Sequence, residues 1–231
     1  NSYLKELVHE GVPRNWTVVS AREQRQGRGQ QGAVWFSDKS KNLTFSILIK
    51  EVELGASDQF LLNCAVSNGI FKAMQTYEIP RVKVKWPNDI MSGSSKLAGI
   101  LIENSLVSDR ITHSIVGIGL NVNQEEFPSY LPDAVSMKQR TKNHYNLNAV
   151  LEALVESIKV EIGFIETGQY ETLRANYTEH MYRRNVPHMF RVPSGQPFIA
   201  EITGTTDNGL LALRKEDGSE AHYAFKEIEY L

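Results

Sequence analysis

Three β-rich runs, Val82 to Trp86, Lys96 to Glu103 and Ile111 to Leu120, follow one another with only the polar stretches 87–95 and 104–110 between them. Parallel neighbours need a crossover of about a dozen or more residues, usually a helix, so these runs are expected to pair antiparallel. Rossmann winding is disfavoured. Upstream, Trp16 to Ala21 and Leu43 to Ile49 read as two further strands, separated by the long polar, glycine-bearing segment 22–41. That segment is too long for a simple turn and is a candidate functional loop.

Helical patterns flank the strands. Leu4, Leu7 and Val8 recur at helical spacing until Gly11 and Pro13 end the pattern. Ser57 is the expected cap of a helix running toward Tyr77, with Cys64 on its apolar face, and Asn148 the expected cap of a helix to about Phe164. A further helical stretch covers Tyr170 to His180, and the main domain closes near Arg184. Beyond it, runs around Phe190, Phe198 to Thr203, Leu210 to Arg214 and Ala221 to Phe225 are punctuated by Asn208-Gly209 and Asp217-Gly218, which predicts a small closed β-barrel. The expected class is α+β, a mixed and mainly antiparallel sheet with flanking helices in residues 1–184, and a small β-barrel in 185–231.

Composition narrows the function classes. Lys and Arg total 25 against 27 Asp and Glu, a formal charge of −2, which argues against a chain built mainly to hold nucleic acid. Cys64 is the single cysteine, so no internal disulfide can form, and the six histidines lack metal-ligand spacing. The longest apolar runs are too short to span a bilayer, and residues 1–12 do not read as an export signal. A cytoplasmic setting with no DNA and no membrane partner is expected.

Four segments carry the chemistry. Gln24-Arg25-Gln26-Gly27-Arg28-Gly29-Gln30-Gln31-Gly32 joins flexible glycines to a fixed cation and can wrap a phosphate or a carboxylate, though it lacks the Gly-Lys-Ser/Thr ending of a P-loop. Lys83-Val84-Lys85-Trp86-Pro87-Asn88-Asp89 is a strand that breaks at Asn-Asp, where an Asx turn would equally explain the residues. Lys96-Leu97-Ala98-Gly99-Ile100-Leu101-Ile102-Glu103 has a lysine at its entrance and a glycine inside, a sign of close approach. Gly117-Ile118-Gly119-Leu120-Asn121-Val122-Asn123 ends another strand on small residues and amides.

In this order and at these separations the four segments resemble the biotin protein ligase family, whose marks are a Gly-Arg-Gly loop, Lys-Trp-Pro-Asn-Asp, Lys-Leu-Ala-Gly-Ile-Leu-Ile-Glu and Gly-Ile-Gly-Leu-Asn-Val-Asn. The resemblance extends along the whole chain and implies a catalytic α+β domain followed by an SH3-like β-barrel, in the short form without an N-terminal DNA-binding domain. Two departures stand out. The Ser-Thr-Asn triplet of many relatives is represented only by Asn1, so its Ser and Thr lie upstream or are missing, and Gln30 stands where the family loop commonly has a second Arg.

The resemblance implies that biotin and ATP with magnesium give biotinyl-5'-AMP, which then acylates a lysine of a biotin carboxyl carrier protein such as that of acetyl-CoA carboxylase. By the same resemblance Lys96 sits between the biotin carboxylate and the α-phosphate, with Arg28 beside it; the acceptor lysine, mostly protonated near neutral pH, needs a group to deprotonate or orient it, and Asp89, at the break after Trp86-Pro87, is the candidate, an Asx-turn role explaining it equally well. The implied biotin residues are Asn1, Gln24, Gly27, Arg28, Gly29, Gln30, Trp35, Lys96, Gly99 and Leu101. Gln24, with Asn1 at the edge, serves the ureido end, Trp35 and Leu101 the ring body, and residues 28–30 fold over the intermediate. The implied nucleotide residues are Arg28, Gly32, Asn88, Lys96 and Asn121, with Asn121 near the phosphates or magnesium and no dedicated protein metal cage. A homodimer stays open. The competing readings are a lipoate or octanoate ligase or transferase of the same fold, and a biotin-responsive regulator with weak catalysis.

Overall fold

The computed structural model describes residues 1–231 except Val12, Arg25, Gln26, Arg28, Ala33, Glu51 and the side chain of Gln31. The chain opens with α1 (Ser2–His9), β1 (Val18–Ala21), β2 (Leu43–Lys50) and α2 (Phe60–Thr76). β3 (Val82–Lys85), β4 (Asp89–Ser92), β5 (Ser95–Val107) and β6 (Arg110–Leu120) complete a six-stranded sheet of order β1-β2-β6-β5-β4-β3. Every ladder in it is antiparallel: β5 pairs with β6 as expected, but β4 lies between β3 and β5, which do not pair and run in the same direction.

β4 was not legible as a strand. The Trp86-Pro87 peptide is cis, and Lys85 faces Asp89 across a tight hairpin, so Asn-Asp opens a return strand instead of ending the pattern. The capping expectations each miss by two residues. Ser57 lies in a 3-10 turn, Ala56–Asp58, and α2 starts after Gln59 without a side-chain cap. Asn146, not Asn148, caps α4 (Leu147–Glu166), its Oδ1 accepting from the backbone N–H groups of Asn148 and Ala149. Both neighbours carry a capping-competent side chain, and the register was set by packing of the helix behind them. Between β6 and α4, α3 (Met137–Thr141) begins with a reciprocal capping box between Ser136 and Gln139.

The core explains the layering. β2 is buried on both faces: Leu43, Phe45, Ile47 and Ile49 join the main hydrophobic cluster, while Leu48 meets Leu4 of α1 and Ile115 on the other side. α2 is apolar nearly all round because α4 and α5 (Tyr170–Glu179) cover what the sheet does not. At Gly69 an added Cβ would lie 2.7 Å from Ile158 Cα, so this glycine lets the α2 and α4 backbones close on each other. Buried Glu161 of α4 reaches Lys72 of α2 at 2.6 Å and fixes the same crossing.

The C-terminal strands are β7 (Pro187–Arg191), β8 (Phe198–Thr205), β9 (Leu211–Lys215), β10 (Glu220–Tyr223) and β11 (Glu229–Tyr230). They form a five-stranded sheet of order β10-β9-β8-β7-β11. The expected closed barrel is not formed, because β10 and the two-residue β11 remain the sheet's two edges instead of pairing with each other. Phe190, Ile202, Leu211 and Leu213 of this sheet belong to the same hydrophobic cluster as the main sheet. Trp86 Nε1 donates to Gly209 O at 2.9 Å, tying the cis turn to the β8–β9 connection.

Candidate active site

A cavity of about 490 Å³ lies over the middle of the main sheet, reached by the loop after β1 and walled on one side by the C-terminal sheet. Its floor is nearly free of side chains. Gly99 of β5 and Gly119 of β6 are register partners, and the Trp35 indole lies across both. A Cβ at Gly99 would come within 3.1 Å of Trp35 Cζ3, and one at Gly119 would overlap the indole outright. The close approach foreseen for Gly99 is therefore made here by an aromatic side chain. At Gly117 the space a Cβ would take is filled by the Asn1 amide.

Asn1 donates to Glu103 Oε2 at 2.6 Å and accepts from Ser46 Oγ at 2.7 Å, which holds it at one rim of the cavity. Gln24, Gly29, Gln30 and Trp35 reach the cavity from the loop, and Leu101 from β5. The loop is drawn shut at its base, where Trp35 N–H donates to Gly27 O at 3.0 Å. Gln30 Oε1 and Trp35 Nε1 are both buried, and neither has a hydrogen-bond partner among the described residues. Buried polar atoms are rarely left unmatched, so two of them on the lining of one cavity mark a place where a polar ligand would supply the bonds.

The charged corner is built by the β3–β4 hairpin and β5. Asn88 clamps the turn to β5: its Nδ2 donates to Ile100 O at 2.7 Å and its own O accepts from Ile100 N–H at 2.9 Å. Asp89, next in sequence, is thereby aimed at Lys96, whose Nζ lies 2.6 Å from Asp89 Oδ1. The same Nζ stands 5.7 Å from the centroid of the Trp35 ring. Lys96 and Asp89, assigned to the chemistry, thus form one ion pair at the edge of the indole.

Not every expected residue arrives. Gly27 is buried behind Trp35, where a Cβ would overlap the Trp35 carbonyl; it closes the loop and does not line the cavity. Gly32 sits at φ +87° with nothing near its Cβ position, so the backbone conformation alone asks for glycine, and it too stays outside the cavity. Asn121 is buried under the sheet end, its Nδ2 donating to Val135 O at 3.1 Å and more weakly to Lys96 O, and it does not reach the lining. Its amide ties the start of β5 to the segment before α3. Arg28 lies outside the described residues. Among the described residues no group of three His, Cys, Asp or Glu side chains could hold a metal.

Several lining residues were missed. Lys85 at the end of β3 borders the cavity, and burial holds its ammonium below the ordinary lysine range. Phe225, Ile228 and Tyr230 reach the cavity from the C-terminal sheet. Lys85 belongs to the Lys-Trp-Pro-Asn-Asp motif, but the alternation along β3 puts it on the same face as Lys83, so strand spacing alone gave no signal to tell the two apart. Phe225, Ile228 and Tyr230 had no local signal, since only the docking of the second sheet brings them within reach. No helix among the described residues is long and apolar enough to cross a membrane.

Residues 1–121 match the biotin/lipoate A/B protein ligase family model. The chain is 26% identical to the bifunctional ligase/repressor BirA of Bacillus subtilis over 223 residues, which cover 95% of this chain and 67% of that protein. It is 25% identical to the biotin–[acetyl-CoA-carboxylase] ligase of Mycobacterium tuberculosis, over 92% of this chain and 79% of that one. In fold it is similar to the biotin protein ligase from Aquifex aeolicus in complex with biotin and ATP, with a TM-score of 0.78 over 98% of this chain and 94% of that one at 24% identity. The match spans the elements that build the cavity floor, the Lys96–Asp89 pair and the loop that covers them, and the chain belongs to the biotin/lipoate A/B protein ligase family.

Proposed function

We propose that this chain activates biotin with ATP to biotinyl-5'-AMP and transfers the biotinyl group to a lysine of a biotin carboxyl carrier protein. The observation that carries the reading is the convergence of Lys96 and Asp89 at the Trp35 ring, which lies on the Gly99–Gly119 floor of one cavity. The relative named for biotin and acetyl-CoA carboxylase supports biotin over lipoate as the acid.

The first half-reaction brings two anions together. A carboxylate and an α-phosphate about 4 Å apart repel by roughly 4 kcal/mol at an effective dielectric near 20. Lys96 is placed to offset that repulsion: before substrate arrives its charge is matched by Asp89 at 2.6 Å, and an incoming carboxylate takes over that partner. The carboxylate oxygen then bonds to the α-phosphorus while pyrophosphate departs. Magnesium enters with the nucleotide phosphates. An apolar ring body fits between Leu101 and the Trp35 indole that lies on the glycine floor, and the ureido group meets Gln24 and Asn1 at the rim. Gly29, Gln30 and Trp35 on the loop shield the mixed anhydride from water.

In the second half-reaction an acceptor lysine with a pKa near 10.4 is only about 0.1% neutral near pH 7.4. Once Lys96 is engaged by the adenylate, Asp89 is the nearby carboxylate free to accept the proton from the acceptor ammonium. Incubation with biotin, MgATP and a carrier domain, read by intact mass, should add one biotinyl group to the carrier. A carrier that stays unmodified with biotin but gains mass with lipoate would overturn the assignment.

A further inference from the structure

Lys96 is matched by Asp89, while the cavity holds a second lysine, Lys85, that forms no ion pair among the described residues. Lys85 makes no ion pair and no side-chain hydrogen bond among the described residues; its Nζ stands 4.9 Å above the centroid of the Tyr230 ring. Burial lowers its pKa, with Asp89 and Asp133 favouring the charged form and Arg183 and Lys96 opposing it. Holding an unpaired ammonium half-buried among other cations is costly, and it becomes favourable when an anion from outside supplies the missing partner. The hydroxyl of the same Tyr230 is buried and has no hydrogen-bond partner among the described residues. Lys85 faces Asp89 across the β3–β4 hairpin, so its ammonium and that of Lys96 flank the same carboxylate from neighbouring strands.

We propose that Lys85, seated on the Tyr230 ring, binds the outer phosphates of the nucleotide and then the pyrophosphate that leaves, so that the C-terminal sheet holds one end of the substrate. The inference rests on the reaction proposed above. When the carboxylate oxygen bonds to the α-phosphorus, the bond to the bridging oxygen breaks and its electron pair departs on pyrophosphate. Lys96 stands at the bond being formed, and Lys85 takes up the charge that accumulates on the leaving group. Tyr230 is a positioning residue: its ring fixes the ammonium by a cation–π contact, and it comes from the last strand of the chain.

The test separates the two half-reactions. With ATP and biotin, Lys85→Ala should raise KM for ATP about 10- to 100-fold and weaken calorimetric binding of inorganic pyrophosphate, while biotin affinity stays within about twofold. Transfer from preformed biotinyl-5'-AMP to the carrier domain should be unchanged. Lys85→Arg should recover most of the loss, and Tyr230→Leu should give a smaller defect, about two- to tenfold, confined to ATP and pyrophosphate. Lys85→Met keeps the stem over the ring without the charge and serves the same test if the alanine variant does not fold. An unchanged KM for ATP, or a defect in transfer with normal adenylation, overturns the inference. A wild-type chain that forms no biotinyl-5'-AMP overturns the proposed function instead, and pyrophosphate binding that depends on Lys85 would still support the anion site.

Discussion

Gly69 and the pair Gly99 and Gly119 all stand where a side chain would collide with a neighbour, but the neighbours differ in kind. At Gly69 the obstacle is the Ile158 backbone of α4, 2.7 Å from a would-be Cβ, locked by the surrounding core. At Gly99 and Gly119 it is the indole of Trp35, carried on a loop whose base is held by one backbone hydrogen bond to Gly27. The first absence makes a permanent contact between two helices. The second makes a surface that is covered by a side chain at rest and can be uncovered, because a loop moves at less cost than a packed helix. The same omission of one carbon thus serves stability in one region and binding in the other.

The comparison can be broken by substitution. The largest effect belongs to the charge above the glycine floor: Lys96→Ala should slow formation of biotinyl-5'-AMP on the order of 100-fold or more, read by pyrophosphate release, with little change in melting. A near-normal rate would remove Lys96 from the chemistry and leave the floor without a reaction to serve.

Gly69→Ala should act only on stability. Forcing a Cβ against the Ile158 backbone costs about 1–3 kcal/mol, and the better helix propensity of alanine returns about 1, leaving a drop in Tm of a few degrees with catalysis intact. Gly119→Ala should do the reverse, because the displaced atoms belong to a side chain that can swing away: Tm within about 2 °C of wild type, but biotin affinity about tenfold weaker by titration. Exchanged outcomes for these two variants would refute the contrast.

The smallest effect concerns pH. Cys64 is buried in α2, near the Gly69 crossing, and burial pushes its thiol up. The folded pKa is raised, so the contribution to stability is full below the unfolded value near 8.5 and is lost as pH rises above it, by about 1.4 kcal/mol per unit. Denaturant melts from pH 8 to 10 should show that decline in wild type minus Cys64→Ala; parallel curves would mean that the thiol is accessible to water and this part of the core is not permanently closed.

How much was legible follows the same division. The antiparallel pairing of β5 with β6 could be read because a short connection leaves no alternative, and Gly99, Lys96 and Asp89 could be picked out because the motifs that hold them stand close together in sequence; β3, expected beside β5, is separated from it by β4 and does not pair with it. β4 was hidden because Asn88-Asp89 suits a turn as well as a hairpin; Asn148 was displaced as a cap by Asn146, which can equally play the part, and Ser57 fell in a 3-10 turn before a helix that has no side-chain cap. Gly27 and Gly32 are read from the sequence as ligand contacts, and in the structure the first lies against the Trp35 carbonyl while the second has φ +87°; glycine in a sequence signals a need for space or for φ without saying which.

The amino-acid sequence by itself determined the antiparallel pairing of β5 with β6, the family and the lysine and carboxylate assigned to the chemistry, since each depends on short-range spacing or on motifs that survive as written. Only the tertiary structure decided that Trp35 lies on the Gly99–Gly119 floor, that Asn121 turns away, and that Tyr230 stands under Lys85. Those contacts join residues far apart in the chain, and burial of a shared core between two sheets, not any local preference, selects them.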